Sequence, residues 1–358
     1  MAFRRPERLI VAETPGEVDA ALEAVDRVRA SGKWVAGYAS YELGYALIPS
    51  LADLMPEEWD TPLMAFGVFD KPEGPERWAR GNANLAPPEP VWDAARYREA
   101  FKIVRDYIGA GDTYQVNLTF PMIGALSGDA RALYEALRAH QPVRHGAFVE
   151  LGVGPVILSR SPELFFRTDA EGRIETLPMK GTVARGLTEA EDVARKEWLR
   201  NDIKNRAENL MIVDLLRNDI SRVAEVGSVE VPELFKVQTY TTVHQMVSRV
   251  VAQLLPDVGL GDLFRALFPC GSITGAPKIR AMEIIRELEP DPRGVYCGAI
   301  GWMAPDGASS FNVAIRTLSV FEDGKVRLNV GGGVVWDSTA PSEYEEALLK
   351  ARYARLPR

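Results

Sequence analysis

The order of strand-like and helix-like segments constrains this chain more than any other feature. They come in mixed runs rather than strict strand–helix–strand alternation, which favours an α+β protein with antiparallel sheet over a parallel doubly wound one. Residues 14–29 predict a helix with Val18, Ala21, Leu22 and Val25 on one face, Thr14 as its cap, Pro15 at its first position and Glu17 three residues on. Residues 34–47 read as strand and turn. An amphipathic helix is predicted at 93–109, carrying Tyr97, Phe101, Val104 and Ile108, and GDTYQVNLTF after it as a strand. Further strand segments are expected at 118–120, 147–151, 160–166 and 174–177. A long helix at 201–218, capped by Asn201 or Asp202, and another at 276–288, with Pro277 near its first turn, follow. Strands at 294–303, 310–321 and 325–330 precede a last helix at 341–356.

Five prolines between residues 71 and 90 (Pro72, Pro75, Pro87, Pro88, Pro90) predict an extended surface crossing. That crossing divides an N-terminal portion, 1–90, from a catalytic portion, 91–358. Of 358 residues 46% are hydrophobic and 26% charged, which excludes disordered and fibrous classes. No apolar run reaches the roughly 18 residues of a membrane span, and the N-terminus MAFRRPERLIVAETPGEV has no signal-peptide core. A cytoplasmic protein away from membranes is therefore expected. The net charge of −8 argues against a general nucleic-acid binder, which needs a basic face. Cys270 and Cys297 cannot make a disulfide framework and read as buried free thiols in a reducing compartment. With only three histidines a His-rich zinc site is excluded, so any metal must rest on carboxylates, which favours Mg²⁺.

Several segments carry candidate chemistry, each beside a plainer explanation. Glu343, Glu346 and Lys350 share one helix face, either a solvated surface or a metal and anion corner fed by a glycine turn at Gly331, Gly332 and Gly333. Glu208 precedes the apolar run LMIVDLL; it either pairs with Lys204 or Arg217 or meets Glu346 across a cleft to hold Mg²⁺. In CGSITGAPK, Thr274 and Gly275 precede a helix start that is a simple cap or an anion site. Lys180 in PMKGT is an exposed turn lysine or a partly buried nucleophile. Glu163 in SRSPELFF is an exposed carboxylate or, against apolar walls, a general acid. His244 in TTVHQMVSRV reads more readily as a core histidine than as a ligand.

Taken in order, SRSPELFF, PMKGT, KNRAENLMIVDLLRND, VQTYTTVHQMVSRV, CGSITGAPKIRAMEII, GVYCGAIGW, FNVAIRT and GGGVVWDSTAPSEYEEALLKA resemble the chorismate-utilising enzymes. That family includes anthranilate synthase component I, aminodeoxychorismate synthase component I, isochorismate synthase and salicylate synthase. The resemblance covers residues 92–356, and GYASYELGY at 37–45 is similar to the family's N-terminal region. Two positions resemble one branch. Lys180 stands where other members usually carry alanine. Gln115 stands where isochorismate and salicylate members carry a water-activating lysine. Both point to the aminodeoxychorismate synthases, with anthranilate synthase component I as the alternative. A non-catalytic scaffold member would lack Glu163, Glu208, Glu346 or Lys180, and all four are present.

The resemblance implies a fold of two large, mainly antiparallel sheets packed together, helices outside and the site between them. It implies Mg²⁺-dependent amination of chorismate by ammonia to 4-amino-4-deoxychorismate, on the way to 4-aminobenzoate and folate. Glu208 and Glu346 would hold Mg²⁺, with Glu343 nearby. Glu163 would protonate the departing 4-hydroxyl, and Lys180 would add covalently to the ring, with His244 beside the C4 oxygen. Tyr296 and Arg316 would hold the enolpyruvyl carboxylate. Thr274, Gly275, Lys350, Gly332 and Gln115 would complete the substrate pocket. Ammonia would come from a separate glutamine amidotransferase subunit.

Overall fold

In the computed structural model, residues 1–75, 78, 81–240 and 243–356 are described. Part of the proline-rich crossing and two threonines of the TTVHQ segment, Thr241 and Thr242, lie outside them. The strands form one ten-stranded and one seven-stranded sheet, and every pairing is antiparallel. The first sheet runs Arg8–Ala12, Met64–Phe69, Trp34–Ala39, Ala299–Met303, Ser309–Val313, Leu164–Thr168, Arg173–Thr176, Val243–Gln253 and Met179–Ala184, with Glu230–Thr239 also paired to Val243–Gln253. The second runs Gly275–Ala276, Gln115–Gly128, Lys325–Val334, Thr317–Val320, Val156–Ser159 and Ala147–Val149, with Ala83–Pro90 also on Gln115–Gly128.

The predicted strand at 310–321 is two strands in different sheets. Ser309–Val313 belongs to the first and Thr317–Val320 to the second. Arg316 sits at the crossing with φ of 52°, a left-handed conformation that breaks the extended run. The segment 160–166 behaves likewise: Val156–Ser159 lies in the second sheet and Leu164–Thr168 in the first, so Glu163 also sits at a crossing. The two crossings are bonded to each other, Arg160 N to Arg316 O at 2.9 Å and Val313 N to Glu163 O at 3.1 Å.

The same hydrophobic core takes residues from both sides of residue 90. Phe66 of the N-terminal portion meets Phe311, which also packs on Phe166 and Phe264. The end of the proline-rich crossing is itself a strand, Ala83–Pro90. It lies at a sheet edge with a register shift between Ala86 and Glu89, where prolines that cannot donate to a ladder are tolerated. Glu17 accepts from the backbone N–H of Thr14 at 2.9 Å, and Val18–Ala30 continues as the first long helix. Asp93 caps Ala94–Ala110 by accepting from Arg96 N, and Tyr97 of that helix packs on Phe120 of the second sheet and on Tyr344 of the last helix. Asp202, not Asn201, caps Ile203–Ser221. A helix not anticipated from sequence, Glu189–Asn201, precedes it; mostly polar with one buried residue, Leu199, it gives little apolar periodicity to read. Among the described residues, no helix is long and apolar enough to cross a membrane.

Candidate active site

A cavity of about 150 Å³ opens at the crossings, lined among others by Asn117, Glu163, Lys180, Ser272, Tyr296, Arg316, Gly332, Lys350 and Tyr353. Glu163 is 7% exposed, and its Oε1 accepts a 2.7 Å hydrogen bond from the Ser272 hydroxyl. Burial pushes its carboxyl above the ordinary value, while Ser272, Lys180 and Arg316 pull the other way. A carboxyl of this kind is protonated nearer neutrality and can act as a general acid.

Lys180 faces the same cavity from the Met179–Ala184 strand. Between Met179 and Thr182 this strand carries one residue more than its partner between Val247 and Gln245, a bulge that re-aims the lysine. Gly181 supplies the bulge with φ of 87° and lies where a Cβ would stand 2.8 Å from the Asn205 side chain. Among the described residues no hydrogen bond or ion pair holds the Lys180 amine. Burial lowers its pKa, opposed by Glu208, Glu163 and Glu346 and assisted by Lys350. A lysine with a lowered pKa can act as a nucleophile.

The charged corner comes from the helix Ala340–Lys350. Lys350 donates to Gly331 O at 2.9 Å and pairs with Glu346 at 2.9 Å. Glu343 accepts from the Ser338 hydroxyl at 2.7 Å; burial raises its pKa against that bond, and Glu346 adds to the rise. Glu346 is 55% exposed. Burial works to raise its carboxyl, but Lys350, Lys180 and Lys204 hold it below the usual range. The three glycines are not a turn, as expected, but part of the strand Lys325–Val334, paired with Thr119, Leu118 and Asn117. Gly332 faces Lys350 and Glu343, while Gly331 lies where a Cβ would meet Leu118 O at 2.2 Å.

Glu208 makes no ion pair with Lys204 or Arg217; Arg217 pairs instead with Asp214. Among the described residues no group of three or more Asp, Glu, His or Cys side chains gathers tightly enough to hold a metal by itself. Glu208, Glu343 and Glu346 offer oxygen donors only. That suits Mg²⁺, which binds through one or two carboxylates and keeps several waters.

Several expected residues line the cavity: Glu163, Lys180, Tyr296, Arg316, Gly332 and Lys350. Thr274, Gly275 and Gln115 stand behind its wall. The Thr274 hydroxyl is turned to Cys270 O, and Gly275 pairs with Val116. Gln115 is fully buried against Gly333, with neither amide atom hydrogen-bonded. His244 is placed as the core histidine that its segment suggested. It is 1% exposed and outside the cavity lining, its Nε2 on Asp192 at 2.9 Å and its Nδ1 on Thr239 at 3.0 Å. Asp192 comes from the unanticipated helix, so no sequence pattern pointed to this partner. Ser272 and Tyr353 were missed. The serine lies inside CGSITGAPK and could have been found there, while Tyr353 carried no motif signal.

A family model described as chorismate binding enzyme matches residues 7–355. The chain belongs to this family. Aminodeoxychorismate synthase component 1 of Klebsiella aerogenes is 46% identical over 254 residues, 71% of this chain and 56% of the relative. Anthranilate synthase component 1 of Streptomyces coelicolor (strain ATCC BAA-471 / A3(2) / M145) is 42% identical over 259 residues, 72% and 50% of the two chains. The chain thus spans about half the length of the curated relatives it matches. The crystal structure of anthranilate synthase component I from Streptococcus pneumoniae TIGR4 superposes with a TM-score of 0.83 at 26% identity, covering 99% of this chain and 91% of that one. The expected fold of two antiparallel sheets is the one observed.

Proposed function

We propose that this chain aminates chorismate to 4-amino-4-deoxychorismate. Lys180 carries the reading: it is an unpaired amine at the cavity wall, depressed by burial, facing the same space as a buried carboxyl acid. Identity to aminodeoxychorismate synthase component 1 supports it.

In this reading Arg316 and Tyr296 receive the enolpyruvyl carboxylate, and Lys350 completes the anion pocket. Glu163 gives its proton to the 4-hydroxyl, which leaves as water while the Lys180 nitrogen bonds to ring C2 and sheds a proton. Ammonia then bonds to C4 and loses a proton. The C2–nitrogen bond breaks, and its electron pair and a proton return to Lys180. Glu163 is reprotonated, so chorismate and ammonia give product and water. Glu208 and Glu346, with Glu343 beside them, would hold Mg²⁺. When bound, the ion would neutralise the ring carboxylate and polarise the diene. The component naming of the relatives supports a partner subunit, which we take to be a glutamine amidotransferase supplying ammonia.

The competing reading, anthranilate synthase component I, is favoured by the solved structure of that name and the Streptomyces coelicolor relative. Mass analysis of the product formed from chorismate, Mg²⁺ and ammonium separates the two. Aminodeoxychorismate keeps the enolpyruvyl group, and a lyase then converts it to 4-aminobenzoate. Anthranilate appears with released pyruvate, and that outcome would overturn the reading.

A further inference from the structure

Tyr353 is 7% exposed and lines the cavity, yet its hydroxyl oxygen is buried without a hydrogen-bond partner. Leaving such a group unsatisfied destabilises the fold, so a purely structural position would be better served by phenylalanine. Three other tyrosine hydroxyls are also buried without partners, those of Tyr38, Tyr41 and Tyr97, but none of these residues lines the cavity.

The ring cannot readily swing away to find water. It sits in the short helix Ala351–Ala354, whose Ala351 and Ala354 are buried. That helix follows Lys350, which is tied to Gly331 O. The electrostatic neighbour of the Tyr353 hydroxyl is the Arg316 guanidinium, which itself has no hydrogen bond or ion pair among the described residues. The Glu163 carboxylate, another electrostatic neighbour of Arg316, takes the Ser272 bond on Oε1.

A cation and a neutral donor therefore lie near one another in the cavity wall, neither with a hydrogen-bond acceptor among the described residues. The arrangement suits a group with several lone pairs and a single negative charge, which describes a carboxylate better than a phosphate. We propose that the Tyr353 hydroxyl donates to the same substrate carboxylate that Arg316 receives, making Tyr353 a substrate-binding residue that helps select for the enolpyruvyl arm. This rests on the chorismate reading above.

Tyr353→Phe tests it, because it keeps the ring and removes only the hydroxyl. Without ligand the variant melts at the wild-type temperature or higher, since an unsatisfied group has gone. With chorismate, calorimetric titration shows affinity weakened about tenfold, the size of one hydrogen bond to a charged group. KM rises by a similar factor, more than kcat falls. A merely structural tyrosine would move the melting temperature and leave this split absent. Wild-type affinity and KM in the variant would overturn the inference while leaving chorismate as the substrate. Failure of the wild-type chain itself to bind chorismate would overturn the functional reading, and this inference with it.

Discussion

The Ser272 hydroxyl donates to Oε1 of Glu163 at 2.7 Å, and both residues line the cavity. The bond occupies one carboxyl oxygen, so the acidic proton belongs on the other, free to meet a leaving group. It also stabilises the ionised form against the upward push of burial. Ser272→Ala therefore raises the Glu163 pKa further. A general acid works in its protonated form, so the basic limb of the kcat/KM profile moves to higher pH while kcat falls about tenfold. A profile identical to wild type would show that the serine does not position the acid.

Lys180→Ala removes the nucleophile. Amination of chorismate should fall by at least about a hundredfold, with chorismate still bound in equilibrium titration. In the wild type the amine must be neutral to attack, so activity declines as pH falls and Lys180 takes up a proton. Unchanged turnover in the alanine variant would refute the covalent role.

Mg²⁺ dependence tests the glutamates. Glu346→Gln should raise the Mg²⁺ concentration for half-maximal activity by about tenfold or more. It also breaks the 2.9 Å pair with Lys350, so Lys350→Met serves as the control and should leave the Mg²⁺ titration nearly unshifted. Matching titrations for Glu346→Gln and wild type would remove Glu346 from the metal site.

The neighbouring glycines separate stability from function. A Cβ at Gly331 would stand 2.2 Å from Leu118 O, backbone against backbone. Gly331→Ala should therefore cost about 1–3 kcal/mol in denaturant unfolding. At Gly332 the Cβ would stand 3.2 Å from Lys350 Nζ and 3.3 Å from Glu343 Oε2, both flexible ends. Gly332→Ala should fold with nearly wild-type stability and lose activity. Equal stability losses at the two positions would contradict this division.

Glu42 links stability to pH. Its carboxylate accepts from Arg293 N at 2.7 Å and Gly294 N at 3.0 Å, fixing the segment that carries Tyr296. Burial raises its pKa to about 7 from the ordinary 4.5, despite those two bonds. A carboxyl raised in the folded state favours folding below its unfolded pKa, and that contribution is lost as pH rises through the folded one. The wild type should therefore lose stability between about pH 4.5 and 7, and Glu42→Gln should flatten that part of the profile. Parallel melting curves for the two proteins across that range would contradict it.

The long helices were legible in the sequence, Ala94–Ala110 through its amphipathic face and Ile203–Ser221 through its cap, as was the antiparallel character of the sheets. Glu163, Lys180, Arg316 and Lys350 were also found, because each sits in a motif of distinctive composition. What escaped depends on tertiary partners. The split at Arg316 follows from one left-handed residue inside an otherwise extended apolar run. The partner that holds His244, Asp192, could not be foreseen, because it lies 52 residues away on a helix with little apolar periodicity. Tyr353 shows its character only through an unsatisfied hydroxyl, which no local pattern encodes.

The paired crossings at Glu163 and Arg316 act as a fixed gauge. Acid and guanidinium are spaced by main-chain hydrogen bonds between their own segments, Arg160 N to Arg316 O and Val313 N to Glu163 O. Those bonds hold the two backbones in one register, so the span from acid to guanidinium varies only with their own side-chain torsions. Lys180 and Lys350 have a different support, one on a bulged strand of the first sheet and the other on a helix packed on the second. A change that loosened the two sheets would shift the lysines relative to each other while the paired crossings kept their register.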